Sequence, residues 1–115
     1  MPQPATIVRD LVAEAPIPAR GILSQTLSSE DGIELVLFAF AAGEQLSEHT
    51  SARPAIIHVL SGEATLGVAD EPIPAGPGTW VRMAAGTRHS VVARTALVMA
   101  LYLLPGERRA AIDAA

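Results

Sequence analysis

The chain has 115 residues, about one domain's worth, with half of them apolar, eight arginines, no lysine and a net charge of −4. No basic block is present to neutralise a phosphate backbone, which argues against nucleic acid as a partner. The absence of cysteine excludes disulfides and thiol chemistry.

A domain of this length buries about two-thirds of the surface its unfolded chain would expose, so it holds its own core. Apolar runs such as LVLFAFAA, Leu35 to Ala42, stay far below the roughly 20 residues of a membrane helix. The opening MPQPATIVRD lacks a basic start followed by an apolar stretch, so the expected location is the cytoplasm, away from any membrane. So apolar a small chain is expected to hide part of its surface in a second copy, as a homodimer.

Residues 1–19 carry Pro2, Pro4, Pro16 and Pro18 and read as an N-terminal arm. Within it, Ile7 to Ala15 suits a short helical turn or a strand added to a partner's sheet. The segment 20–104 reads as the folded barrel and 105–115 as a polar, helix-capable tail. Arg20 to Ser29 alternates loosely and ends at Glu30-Asp31-Gly32, a turn signal. Ile33 to Ala42 reads as a strand buried on both faces and closed by Gly43. A polar cluster, Gln45 to Thr50, precedes AIIHVL (Ala55 to Leu60). Ser61-Gly62 turns the chain into Glu63 to Ala69, and Asp70-Glu71-Pro72 turns it again. Ile73 to Ala84 passes three turn formers into a short strand. A loop, Ala84 to His89, leads to the strand HSVVA, and Ala96 to Leu104 is the last strand. Seven or eight short strands at intervals near ten residues, with Gly, Pro and Asp between them, predict an all-β sandwich or barrel.

The chemistry-bearing residues are few. His49, His58 and His89 each lie in or beside a predicted strand. Three imidazoles converging with an open coordination position would hold a divalent metal such as zinc, iron, nickel or copper. Equally, each is accounted for as a hydrogen-bonded polar residue. Arg53 and Arg82, with Arg88, are candidates to grip a carboxylate at a cavity mouth, and Trp80 is a candidate ligand platform. Glu48 could orient its neighbour His49 or serve as a base. No serine sits in a recognisable His-acid relay, and Gly76-x-Gly78 precedes no helix, so it is a turn and not a phosphate loop.

Two spacings carry a resemblance. Gly43 is followed by five residues, His49, one residue, Ser51, three residues, Ala55, six residues and Gly62. Gly78 is followed by five residues, Ala84-Ala85-Gly86, two residues, His89, three residues and Ala93. In order and in spacing these resemble the two motifs of the cupin superfamily, and the chain looks like its small single-domain bacterial members. The resemblance implies a jelly-roll barrel of two antiparallel sheets with a pocket. It places the family's metal ligands on His49, Ser51, Ala55 and His89, so two of four are lost. His58 would complete a three-imidazole site only if a bulge near Pro54 reversed the alternation of its strand; otherwise it faces outward. Two functions follow as expectations. One is a barrel binding a small polar or anionic ligand without an assigned reaction. The other is a metal-dependent enzyme, dioxygenase-like or isomerase-like, with a histidine-only site. An epimerase-like reading would need an acid and a tyrosine beside a histidine base, and Tyr102 has no assignable partner.

Overall fold

The structure, a computed structural model, describes residues 4–106. Nine antiparallel strands form two sheets: β1 (Ile22–Glu30), β2 (Ile33–Phe40), β3 (Gln45–His49), β4 (Ala55–Ser61), β5 (Ala64–Val68), β6 (Glu71–Ala75), β7 (Trp80–Met83), β8 (His89–Ala93) and β9 (Leu97–Leu103). The larger sheet runs β1-β2-β9-β4-β7 and the smaller β3-β8-β5-β6. The arm contributes one 3-10 turn, Val12–Glu14, in place of a strand. The helix-capable tail lies outside the described residues, apart from Pro105 and Gly106.

Alternation explains how the sheets face each other. Phe40, Ile57, Val59, Met83, Leu97 and Met99 from the larger sheet meet Ala64, Leu66, Ala75, Val91 and Ala93 from the smaller, and together they form the inner core. Odd and even residues of the central strands then face opposite ways. On β2 and β9 the outward set, Leu37, Ala39, Val98 and Ala100, is also buried, because Leu11 and Ala15 of the arm pack over it. This is why β2 and β9 read as continuous apolar runs while the other strands alternate.

Turn chemistry sets the register. Asp31 and Gly32, with φ of 56° and 77°, make the two-residue link between β1 and β2. Two positive φ values in succession give a type I′ turn, whose twist matches its flanking strands, and Asp-Gly is a preferred pair for it. Two strands are less visible in sequence. β3 is a strand although its residues are mostly polar and exposed. β6 carries Pro72 and Pro74, which it tolerates as the outer strand of its sheet, where a missing N–H leaves no ladder bond unmade.

Candidate functional site

His49 ends β3 and His89 begins β8, and the two residues face each other across the ladder. A register shift between Leu46 and His49 re-aims the end of β3. Their rings stand 4.2 Å apart, centre to centre, tilted by 59°. His89 is buried, at 5% exposure, and His49 is exposed. The pair therefore forms a wall between interior and solvent at one end of the barrel. Gly86 N–H donates to the Ser51 carbonyl at 2.8 Å, which fastens the two loops bearing the histidines to each other.

Each ring is held in the same way. Nδ1 of His49 lies 2.9 Å from the Ser47 carbonyl, and Nδ1 of His89 lies 3.0 Å from the Thr87 carbonyl. A carbonyl only accepts, so Nδ1 carries the hydrogen in both bonds. In the neutral ring Nε2 is then bare, a hydrogen-bond acceptor or a Lewis base. The pattern is a histidine bonded to the carbonyl two residues before it. Sequence cannot show it, because every residue type supplies that carbonyl.

The other candidates lie elsewhere. The register shift in β4 falls between Val59 and Ser61, after His58, so the alternation from Ala55 through Val59 is unbroken. Ala55, Ile57 and Val59 point inward, and His58 points out, beside Ala100 and Trp80. The structure thus brings His49 and His89 together and leaves His58 on the far face of the larger sheet. Trp80 and Arg82 share that outward face of β7, since Val81 and Met83 pack against the inner core. Arg88 pairs with Asp70.

Arg53 is spent on the backbone. Its guanidinium donates to the carbonyls of Gly32, Leu103 and Leu104, and it lies 3.7 Å from Glu34. These contacts tie the β3–β4 loop to the β1–β2 turn and the end of β9. Arg53→Ala strands three carbonyls and should lower stability by about 2 kcal/mol, seen as a lower urea midpoint with an unchanged slope. Arg53→Lys should recover less than half of it, because a point charge cannot reproduce the fork. A variant as stable as the native chain would show that these bonds carry no net weight.

The donor set also bears on metal. Ser51 Oγ already accepts the Arg53 N–H at 3.1 Å. Ala55 is buried between its cross-strand partners Met83 and Leu103, a methyl among apolar side chains. Among the described residues no group of three His, Cys, Asp or Glu side chains converges. Two imidazoles fall short of the three protein ligands of a catalytic zinc site, so a divalent ion here would have to take further donors from outside this pair.

These features are those of a known class. Residues 36–104, more than half of the chain, match the family described as the cupin domain, and the chain belongs to that family. It is similar to a conserved protein of unknown function from Streptococcus pyogenes, with 28% identity, 90% of each chain covered and a TM-score of 0.79. A cupin superfamily protein from Desulfitobacterium hafniense is 24% identical over 92% of this chain and 95% of its own, with a TM-score of 0.79. KdgF from a Halomonas species is 22% identical over 77% and 84% of the two chains, with a TM-score of 0.68. No curated protein matches the sequence.

Proposed function

We propose that the protein binds a small hydroxyl-bearing molecule at the end of the barrel marked by His49 and His89. The observation that carries this is the pair of carbonyl-held rings 4.2 Å apart. Their two bare Nε2 atoms accept hydrogen bonds, and neighbouring hydroxyls on one small molecule supply them. The sequence left polar and anionic ligands open. Arg53 and Arg88 are engaged within the fold and Arg82 lies on the outer face, so none of these three candidates is placed to clamp an anion there. This favours a neutral polar ligand. No reaction is assigned to the site.

One observation favours a second reading. A backbone carbonyl on Nδ1 is also how metal-binding imidazoles are oriented. A divalent ion would take the same two Nε2 atoms and complete its shell with donors from the ligand, as in a metal-dependent cupin enzyme. Metal analysis separates the readings. The ligand-only reading expects no stoichiometric zinc, iron, nickel or copper on the purified protein. Metal retained by the native chain and lost in His89→Ala would favour the second.

Calorimetric titration with a panel of neutral monosaccharides and their 6-phosphates tests the first reading. His49→Ala and His89→Ala should each weaken a binding sugar by about tenfold, the worth of one hydrogen bond. His58→Ala should leave affinity unchanged, and the phosphate should add nothing. Binding that survives His89→Ala would overturn the assignment.

The same proposal includes a cytoplasmic location and a homodimer as the working form, the latter supported by a composition that is half apolar. No helix of the described residues is long and apolar enough to cross a membrane.

A further inference from the structure

We infer that a cavity between the N-terminal arm and the outer face of the larger sheet is a second binding site, suited to a small organic amine with an apolar body. It lies outside the barrel and does not depend on the ligand proposed for His49 and His89.

The cavity holds about 480 Å³, within the range of small-molecule sites. Strand pairing builds its floor. Residues directly opposite each other in a ladder share a face. Ser28, Leu35 and Tyr102 make one row across β1, β2 and β9, and Glu30 stands opposite Ile33 in the next. The register shift between Thr26 and Ser28 creates this arrangement. Thr26 pairs with Val36, which alternates onto the inward face of Phe38 and Phe40, so plain alternation would send Ser28 and Glu30 inward too. The extra residue, Leu27, turns both outward, a use that bulges have beside binding sites. The arm is the roof. Leu11 and Ala15 pack on the outer cluster, and Gln25 Nε2 donates to the Glu14 carbonyl, which holds the arm over the sheet. Beyond that anchor Pro4, Ala5, Thr6 and Val8 line the cavity, and none of them makes a backbone hydrogen bond among the described residues. Their carbonyls are therefore open acceptors.

The lining defines the ligand. Val8, Leu11, Ile33 and Leu35 give an apolar wall, and every titratable side chain on it is an acid: Glu30, Asp31 and the Tyr102 phenol. The neighbouring bases are turned elsewhere. Arg9 is exposed on the arm, and Arg53 reaches the Gly32 carbonyl from the β3–β4 loop; neither lines the cavity. An ammonium group brings one positive charge and three donors. Two carboxylates, the phenol oxygen and the arm carbonyls are there to accept them. An anion would meet only like charge. The apolar wall takes the body of the molecule, as the walls of small-molecule sites do.

Calorimetric titration of the full chain with tryptamine, its neutral counterpart tryptophol and its anionic counterpart indole-3-propionate tests the site. Tryptamine should bind, tryptophol should bind about tenfold more weakly, and indole-3-propionate should not bind. Added salt should weaken tryptamine and leave tryptophol unchanged. The double variant Glu30→Gln with Asp31→Asn keeps a residue that tolerates the positive φ of the turn. It should bind tryptamine about tenfold more weakly and tryptophol as before. Ile33→Arg, at a position 43% exposed, sets a cation in the cavity and should abolish tryptamine binding with an unchanged β-sheet circular dichroism spectrum. Glu71→Gln, an exposed acid of β6 outside the cavity, should change nothing. Tryptamine that does not bind, that binds no better than indole-3-propionate, or that binds the double variant as tightly as the native chain would refute the site. So would an equal loss in Glu71→Gln, which would mark attraction to the acidic surface at large.

Discussion

Gly62→Ala is expected to lose about 3 kcal/mol or more of stability and to lower the thermal midpoint by roughly 10–20 °C. Gly62 turns β4 into β5 with φ of 91°, a conformation that costs an L side chain about 1–2 kcal/mol. Crowding adds to it. An alanine Cβ there would lie 2.0 Å from the Ala96 carbonyl oxygen and 3.0 Å from the Leu97 Cα. Both are backbone atoms, so no side chain can rotate away. The turn cannot lift off either. The Glu63 carbonyl accepts the N–H groups of Arg94 and Thr95, and its own N–H donates to Thr95 Oγ1 at 3.0 Å. Gly86→Ala is the control, because Gly86 has φ of 84° with no neighbour within 4 Å of the added methyl. It should lose only the conformational part. Equal midpoints for the two variants would show that the turn has room to give.

Phe40→Ala should cost about 3–5 kcal/mol, a large share of the roughly 5–15 kcal/mol that holds such a domain folded. Phe40 is fully buried at the end of β2, beside Ile22 and Leu97 in the ladder and within the core between the sheets. Its removal leaves a cavity that two hydrogen-bonded sheets cannot collapse to fill. Phe38 lies two residues earlier on the same face, its ring 6.2 Å away, but is only half-buried. Phe38→Ala should therefore cost about half as much. Urea unfolding of the pair decides it: a Phe38 variant less stable than the Phe40 variant would mean that the core is centred elsewhere.

The fold is legible because its signals are local. Asp31-Gly32 names its own turn type, and the runs in β2, β4, β8 and β9 name their own burial. β3 escapes because a polar strand at the barrel's open end has little apolar surface to declare it. β6 escapes because its prolines read as turn formers, and only its place at a sheet edge makes them acceptable. The candidate site divides in the same way. His49 and His89, forty residues apart, are linked in sequence only through the spacing of the two motifs. His58 sits on the outer face for a parity reason, the position of a register shift at Leu60 instead of near Pro54, and Trp80 and Arg82 sit there because Val81 and Met83 of β7 take the inner face. A one-residue difference of that kind flips every later side chain and leaves no mark in composition. Arg53 looks like a ligand-gripping cation until the carbonyls of Leu103 and Leu104, fifty residues away, are seen to occupy it.

The central claim is that two imidazoles, fixed by carbonyls, offer a joined pair of bare Nε2 atoms to one ligand. Long-range proton–nitrogen spectra of the histidine rings measure this directly. In the free protein, the neutral rings of His49 and His89 should both carry their hydrogen on Nδ1 and leave Nε2 bare. Adding a binding monosaccharide should shift both Nε2 resonances together and leave His58 unmoved. Protonated Nε2 atoms in the neutral rings, or a ligand that shifts His58 and neither member of the pair, would contradict the account.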